Sequence, residues 1–196
     1  MITKEATISI PAPNIQLLRI KIKGTTPLIF HKWSEKAKKM IKDKEGGKAH
    51  KGREIRDPKK EYEESFYYNK DKQICITCDA IKQSLVGACR SINGLPMTIV
   101  RGAVFIVGDT ENLIKVDYKK KEMREDMVRV GNGSADIRYR GQLTDWNIQL
   151  LIKYNADVLT AEQVTNLVQI AGFSQGLLEW RPERGGSFGC YEVETK

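Results

Sequence analysis

Two stretches far apart in the chain, residues 15–23 and 146–154, alternate apolar and polar side chains with a period of two. In the first, Leu18, Ile20 and Ile22 oppose Arg19, Lys21 and Lys23; in the second, Trp146, Ile148, Leu150, Ile152 and Tyr154 oppose Asn147, Gln149, Leu151 and Lys153. Such alternation belongs to a strand with one buried and one open face, so the sheet must be covered on one side. Two helical stretches can cover it. Ile81, Leu85, Ala88 and Cys89 form one apolar stripe, with Asp79 placed to cap it and Asn93-Gly94 to end it. Val164, Leu167, Val168 and Ala171 form another, opened by Thr160 and Gln163 at capping-box spacing and closed by Gly172. Residues 98–107 read as a nearly continuous apolar strand, and residues 188–193 as the last strand. The resulting order is strand, helix, strand, strand, helix, strand. It predicts an α+β fold with a ferredoxin-like (RRM-like) βαββαβ core.

No repeat or inter-domain linker interrupts residues 1–196, which read as a single elaborated domain with two insertions. A basic insertion spans about residues 24–78. It holds a helix over 34–42 capped by Ser34, a helix over 60–67 announced by Asp57-Pro58, and a strand over 73–77. A hairpin insertion spans about residues 108–145. It holds a strand over 113–118, and Val128 and Val130, then Gly131-Asn132-Gly133, then Ile137 and Tyr139 read as a hairpin around a Gly-rich turn.

Hydrophobic residues make up 40% and charged residues 30% of the chain, and no apolar run approaches the roughly 20 residues that span a bilayer. The N-terminus lacks a signal-peptide pattern, and four cysteines do not make a disulfide framework. A cytoplasmic protein with no membrane partner is expected. Its net charge is +8, and the excess is local: residues 32–60 carry 12 Lys or Arg against 5 Asp or Glu. With few apolar side chains to bury, this stretch is either a solvated loop or a basic arm that orders on a polyanion, for which phosphate is the natural target.

At four places the chain resembles the RAMP superfamily of CRISPR effector backbone and processing subunits. The first strand runs into GTTPLIF (24–30), similar to the family's strand and Pro-Leu turn. AIKQSLVGACR (80–90) is similar to its helix start, although Val86 stands where the family has lysine. The long middle insertion matches the family's thumb, and GGSFGCYEV (185–193) its C-terminal Gly-rich loop and closing strand, here shorter than usual. The chain is small for a complete effector subunit, so a free-standing, phage-borne relative fits equally well. The resemblance implies RNA binding with copies stacked side by side along the strand, and other CRISPR-type subunits as further partners. It carries the family's helix-start and loop positions onto Ser84, Gly87, Arg90, Gly185, Gly186 and Gly189.

The residues themselves add cationic candidates. These are Lys32, Lys36, Lys38, Lys39, Arg53 and Arg56 in the arm, and Arg124, Arg129, Arg138 and Arg140 in the hairpin, with Arg129 and Arg138 placed across from one another. Trp180, Arg181 and Arg184 flank the Gly-rich turn, where an aromatic beside a cation suits a base and its phosphate. Arg19, Lys21 and Lys23 on the open sheet face, with Asn147, Gln149 and Lys153 beside them, suit a single-stranded backbone. The aromatic stacking pair of common RNA-recognition domains is absent from these strands.

For catalysis His31 is the one weak acid–base candidate, and Asp57 or Asp136 would have to serve any metal-assisted cut. Cys75 and Cys78 form a C-x-x-C pair without a second pair, and they read as small core residues unless Cys89, Cys190 and His50 converge on zinc. No metal or cofactor is expected. The sequence therefore predicts a non-catalytic binder of single-stranded RNA or DNA, RNA being favoured by the resemblance. The alternatives are a small endoribonuclease using His31, a protein antagonist that mimics a CRISPR subunit, and a phage single-stranded DNA-binding or annealing protein.

Overall fold

A computed structural model describes residues 10–32, 42–43, 45–46, 56–130 and 133–194 of the protein. Four strands form its central sheet: β1 (Ile15–Gly24), β5 (Val104–Val107), β9 (Asn147–Asn155) and β10 (Tyr191–Val193). They lie in the order β10-β1-β9-β5, each pair antiparallel. The register places Ile20 beside Leu150 and Ile22 beside Ile148. These four residues are buried, together with Ile152, Tyr154 and Val104.

The long helices α2 (Cys78–Ala88) and α4 (Ala161–Ser174) pack against each other and share this core. Ile81, Leu85, Val164, Leu167, Val168 and Ala171 point into it, as their spacing requires. Thr160 and Gln163 form the expected capping box on α4. The cap of α2 differs from expectation: Thr77, not Asp79, accepts from the Ala80 N–H, and the helix starts at Cys78. Gly172 does not end α4 but lies inside it, where a side chain would run into the Tyr191 carbonyl. It is a contact glycine between helix and closing strand.

The apolar run 98–107 also departs from its expected form. It folds as the helix α3 (Met97–Ala103) followed by β5, with Pro96 at the N-cap. A continuous apolar run carries no period to separate helix from strand, and only Val100 and Ala103 of that helix are buried.

Between β1 and α2 the described chain forms β2 (Leu28–Phe30), α1 (Pro58–Glu64), β3 (Tyr67–Tyr68) and β4 (Ile74–Thr77). Asp57 caps α1, accepting from Lys59 and Lys60, and Pro58 occupies the first turn, where its missing N–H costs nothing. Between β5 and β9 come β6 (Leu113–Lys115) and the hairpin β7 (Lys120–Val130) and β8 (Ser134–Thr144). The hairpin is longer than the sequence suggested. It joins β2 in the order β2-β8-β7, while β3, β4 and β6 make a third small sheet.

Replacing Gly172 by alanine is expected to destabilise the fold by about 1–3 kcal/mol, because neither the helix nor the Tyr191 backbone can yield cheaply. Gly102, which has nothing within 4 Å of the same added atom, is the control. Gly102→Ala should leave the urea midpoint unchanged or raise it slightly.

Candidate nucleic-acid interface

The loop that follows α4 is held by its own backbone. The Gly185 N–H donates to the Pro182 carbonyl, Gly186 to Arg181, Phe188 to Trp180 and Gly189 to Pro27. Leu177 returns a bond to Gly189, and Glu179 donates to Ile29 of β2. Leu178 and Trp180 take the left-handed backbone region at φ 60° and 53°, a strain that persists only when surroundings over-determine it. Gly189, at φ 68° and packed on Leu177, has no room for a side chain. The N–H groups of Gly185, Gly186 and Gly189 are thus already engaged, two within the loop and the third on Pro27 of the turn before β2. What the loop presents outward is Arg184, largely exposed and 3.9 Å from Glu183, and the half-exposed Trp180.

Arg181 is also turned inward, donating to the Leu178 carbonyl and to Glu183. Ser84 is buried 3.5 Å from the Tyr191 hydroxyl, and Gly87 is pressed against Gln175 between the helices. Both serve packing, whereas Arg90 on the turn after α2 stands exposed, 3.6 Å from Glu183.

A chain of charges joins this loop to the base of the hairpin. Arg124 Nε donates to Asp126 Oδ1 at 2.7 Å, and Arg140 Nη1 to Asp126 Oδ2 at 3.1 Å. Arg140 Nη2 lies 3.8 Å from Glu179 Oε2, and Glu179 Oε1 lies 3.8 Å from His31 Nδ1. Arg140 and Asp126 are buried. Aromatics close the assembly, with Trp180 over Arg140 and Phe188 over Arg124. The His31 imidazole, with Arg140 behind it, holds the Glu179 carboxyl below the usual carboxylate range against the opposing effect of burial. Arg124 and Arg140 thus brace the hairpin instead of standing free.

Farther along the hairpin, Arg138 pairs with Asp136 and lies across from Asp126, while Arg129 faces Ala135, so the expected Arg129–Arg138 pairing does not form. Arg129 is exposed and has no ionic partner among the described residues. Arg56 clamps Glu61 through two bonds, at 2.8 and 3.0 Å, and reaches Asp136 with its third nitrogen. Lys32 lies over the Tyr67 ring. Trp33, Ser34, Lys36, Lys38, Lys39, His50 and Arg53 fall outside the described residues.

The open face of the central sheet leaves most of its cations unpaired. The register sets Lys23 beside Asn147, Lys21 beside Gln149, Arg19 beside Leu151 and Leu17 beside Lys153, as the alternation required. Lys21 bonds Glu194 at 2.7 Å. Arg19, Lys23 and Lys153 are exposed without an ion pair among the described residues. Phe105 of β5 shares this face, opposite Lys153. The sequence reading missed it because an unbroken apolar run gives a strand no facing.

Cys75 and Cys78 are buried, and burial pushes both thiols up. Among the described residues no group of three or more His, Cys, Asp or Glu is gathered as a metal site, and no helix is long and apolar enough to cross a membrane.

Arg140→Ala would leave Asp126 buried with one partner fewer. The expected cost is about 3 kcal/mol in urea unfolding, against no measurable change for Arg129→Ala. Glu179 binds its proton less readily folded than unfolded, so its contribution is complete above about pH 5 and fades as pH falls through the depressed native value. Thermal melts from pH 7 to pH 3 should show that acid-side loss reduced in Glu179→Gln.

No family model matches the chain, and no curated protein matches it in sequence. Among solved structures, its fold is similar to a chain from the cryo-EM structure of the Type III-B Cmr-beta bound to cognate target RNA. The TM-score is 0.51 at 10% identity, over 93% of this chain and 60% of that one. The protein thus spans about 60% of that chain's length, and the similarity is one of fold.

Proposed function

We propose that the protein is a non-catalytic subunit that binds single-stranded nucleic acid, RNA in the first place, on a ferredoxin-like core of the RAMP kind. The observation that carries this reading is the row of exposed cations on the open sheet face, Arg19, Lys23 and Lys153, left without ionic partners among the described residues. Unneutralised cations in register along adjacent strands suit a backbone with a phosphate on every residue. Positive charge does not choose between polymers. The similarity in fold to a chain from an RNA-bound Cmr-beta supports RNA. The central strand order β10-β1-β9-β5, with α2 and α4 between strands in the chain, supports the ferredoxin-like assignment.

Beyond that face the proposed contacts are Arg90, Arg129, Arg184 and Trp180, with Lys32 leading into the basic stretch that includes Lys36, Lys38, Lys39 and Arg53. The hairpin is proposed as the thumb that meets the neighbouring copy along the strand. Supporting this, Met127 is 80% exposed and lies opposite the exposed Ile137. Apolar side chains so displayed on a two-stranded arm suit a partner surface.

A salt series of binding to single-stranded RNA, single-stranded DNA and duplex tests the reading. Single strands, RNA above DNA, are expected to bind with a steep dependence. The combined variant Arg19→Ala, Lys23→Ala, Lys153→Ala should lessen the log–log slope by about 2, near 0.7 per phosphate contact. Equal, weak binding to all three polymers, or an unchanged slope, would overturn the proposal. Cleavage of labelled RNA that disappears in His31→Ala would replace it with the endoribonuclease reading.

A further inference from the structure

We infer that the open sheet face carries a base-stacking platform centred on Phe105, an extension that rests on the single-strand reading above. Three strands build it. Phe105 of β5 lies opposite Lys153 of β9, and Lys153 lies opposite Leu17 of β1. One row along, Val107 lies opposite Leu151, and Leu151 opposite Arg19. Alternation sends all six side chains to one side of the sheet. An aromatic ring, three aliphatic groups and two cations therefore share a single patch.

The apolar part of the patch is open. Phe105 is 52% exposed and Leu17 64%, and Ile15, two residues before Leu17 on the same face, is also exposed. The long helices α2 and α4 share the core on the opposite side of the sheet. The ring is held in position from the sheet edge. Lys82 of α2 donates to the carbonyls of Val100, Arg101 and Val104, and its ammonium rests 4.6 Å from the Phe105 ring centroid. Fixing a side chain before binding removes ordering cost from the binding step.

Charge selects the occupant. A purely apolar protein surface pressed here would strip water from Arg19 and Lys153 and leave them unpaired, at a cost that rises with burial. A single strand satisfies both halves of the patch, with a base against Phe105 and the aliphatic groups and phosphates on Arg19 and Lys153. The ring sits on the edge strand and not on the two central ones, so the platform holds one or two bases and does not read a longer register. Stacking of this kind tolerates any base. A duplex, whose bases are already stacked, gains nothing from the ring.

The experiment uses the full chain and single-stranded oligoribonucleotides carrying 2-aminopurine, with a duplex of the same sequence as comparison. Phe105→Leu keeps the bulk and removes the ring, while Phe105→Trp keeps the ring and adds a fluorophore. Phe105→Leu is expected to weaken single-strand binding about 5- to 150-fold and to abolish the 2-aminopurine signal change, with duplex binding unaltered. Phe105→Trp should retain affinity, with its emission quenched by poly(U). Wild-type-like affinity and signal in Phe105→Leu, in a protein that does bind single strands, would overturn the platform and leave the parent reading standing. If Phe105→Leu instead dissociates a self-associated form in sedimentation while binding is unchanged, the patch belongs to a second copy and the inference is overturned. Absence of any single-strand binding by the unmodified protein would remove the parent reading itself.

Discussion

Asp126 and Arg140 meet where the hairpin leaves the body of the protein, both almost withdrawn from water. Burying two charges costs several kcal/mol per ion before attraction and hydrogen bonds offset it. Here the offset is shared among Arg124, Glu179, His31 and the ring of Trp180, which belong to three separate parts of the chain. The pair therefore gains its stability only when the Pro-Leu turn, the loop after α4 and the hairpin base are all in place. The left-handed backbone at Leu178 and Trp180 is tolerated for the same reason. Loop and hairpin form one braced unit on the core.

That bracing divides the basic residues into two populations. Arg56, Arg124, Arg138, Arg140 and Arg181 are committed to carboxylates of the protein itself. Arg19, Lys23, Lys153 and Arg129 keep their charge for solvent or a ligand. A count of charge along the sequence cannot make this division, because it depends on which carboxylates the fold brings close. The open sheet therefore gains weight relative to the hairpin.

What the sequence revealed follows the strength of its periodic signals. The strict alternation through Ile20 and Ile22, and again through Leu150 and Ile152, located β1, β9 and the face they bury, and the capping box located the start of α4. Signals of one residue were weaker. Gly172 resembles a helix stop because nothing nearby announces Tyr191, and Thr77 and Asp79 are equally good caps until the strand end decides between them. The stretch 98–107 hid both a helix and the facing of Phe105, since uniform hydrophobicity has no direction. The glycines of residues 185–189 were visible, but their hydrogen-bond partners, Pro182, Arg181 and Pro27, are fixed by tertiary closure.

Lys82 bears on how the molecule avoids its own kind. β5 is an outer strand of the central sheet, and outer strands invite an extra chain to pair with them. An ammonium lodged against the Val104 carbonyl sets a positive charge at the start of that border, where an intruding β-ribbon would have to desolvate it. Growth of the sheet from one molecule into the next is discouraged along this side.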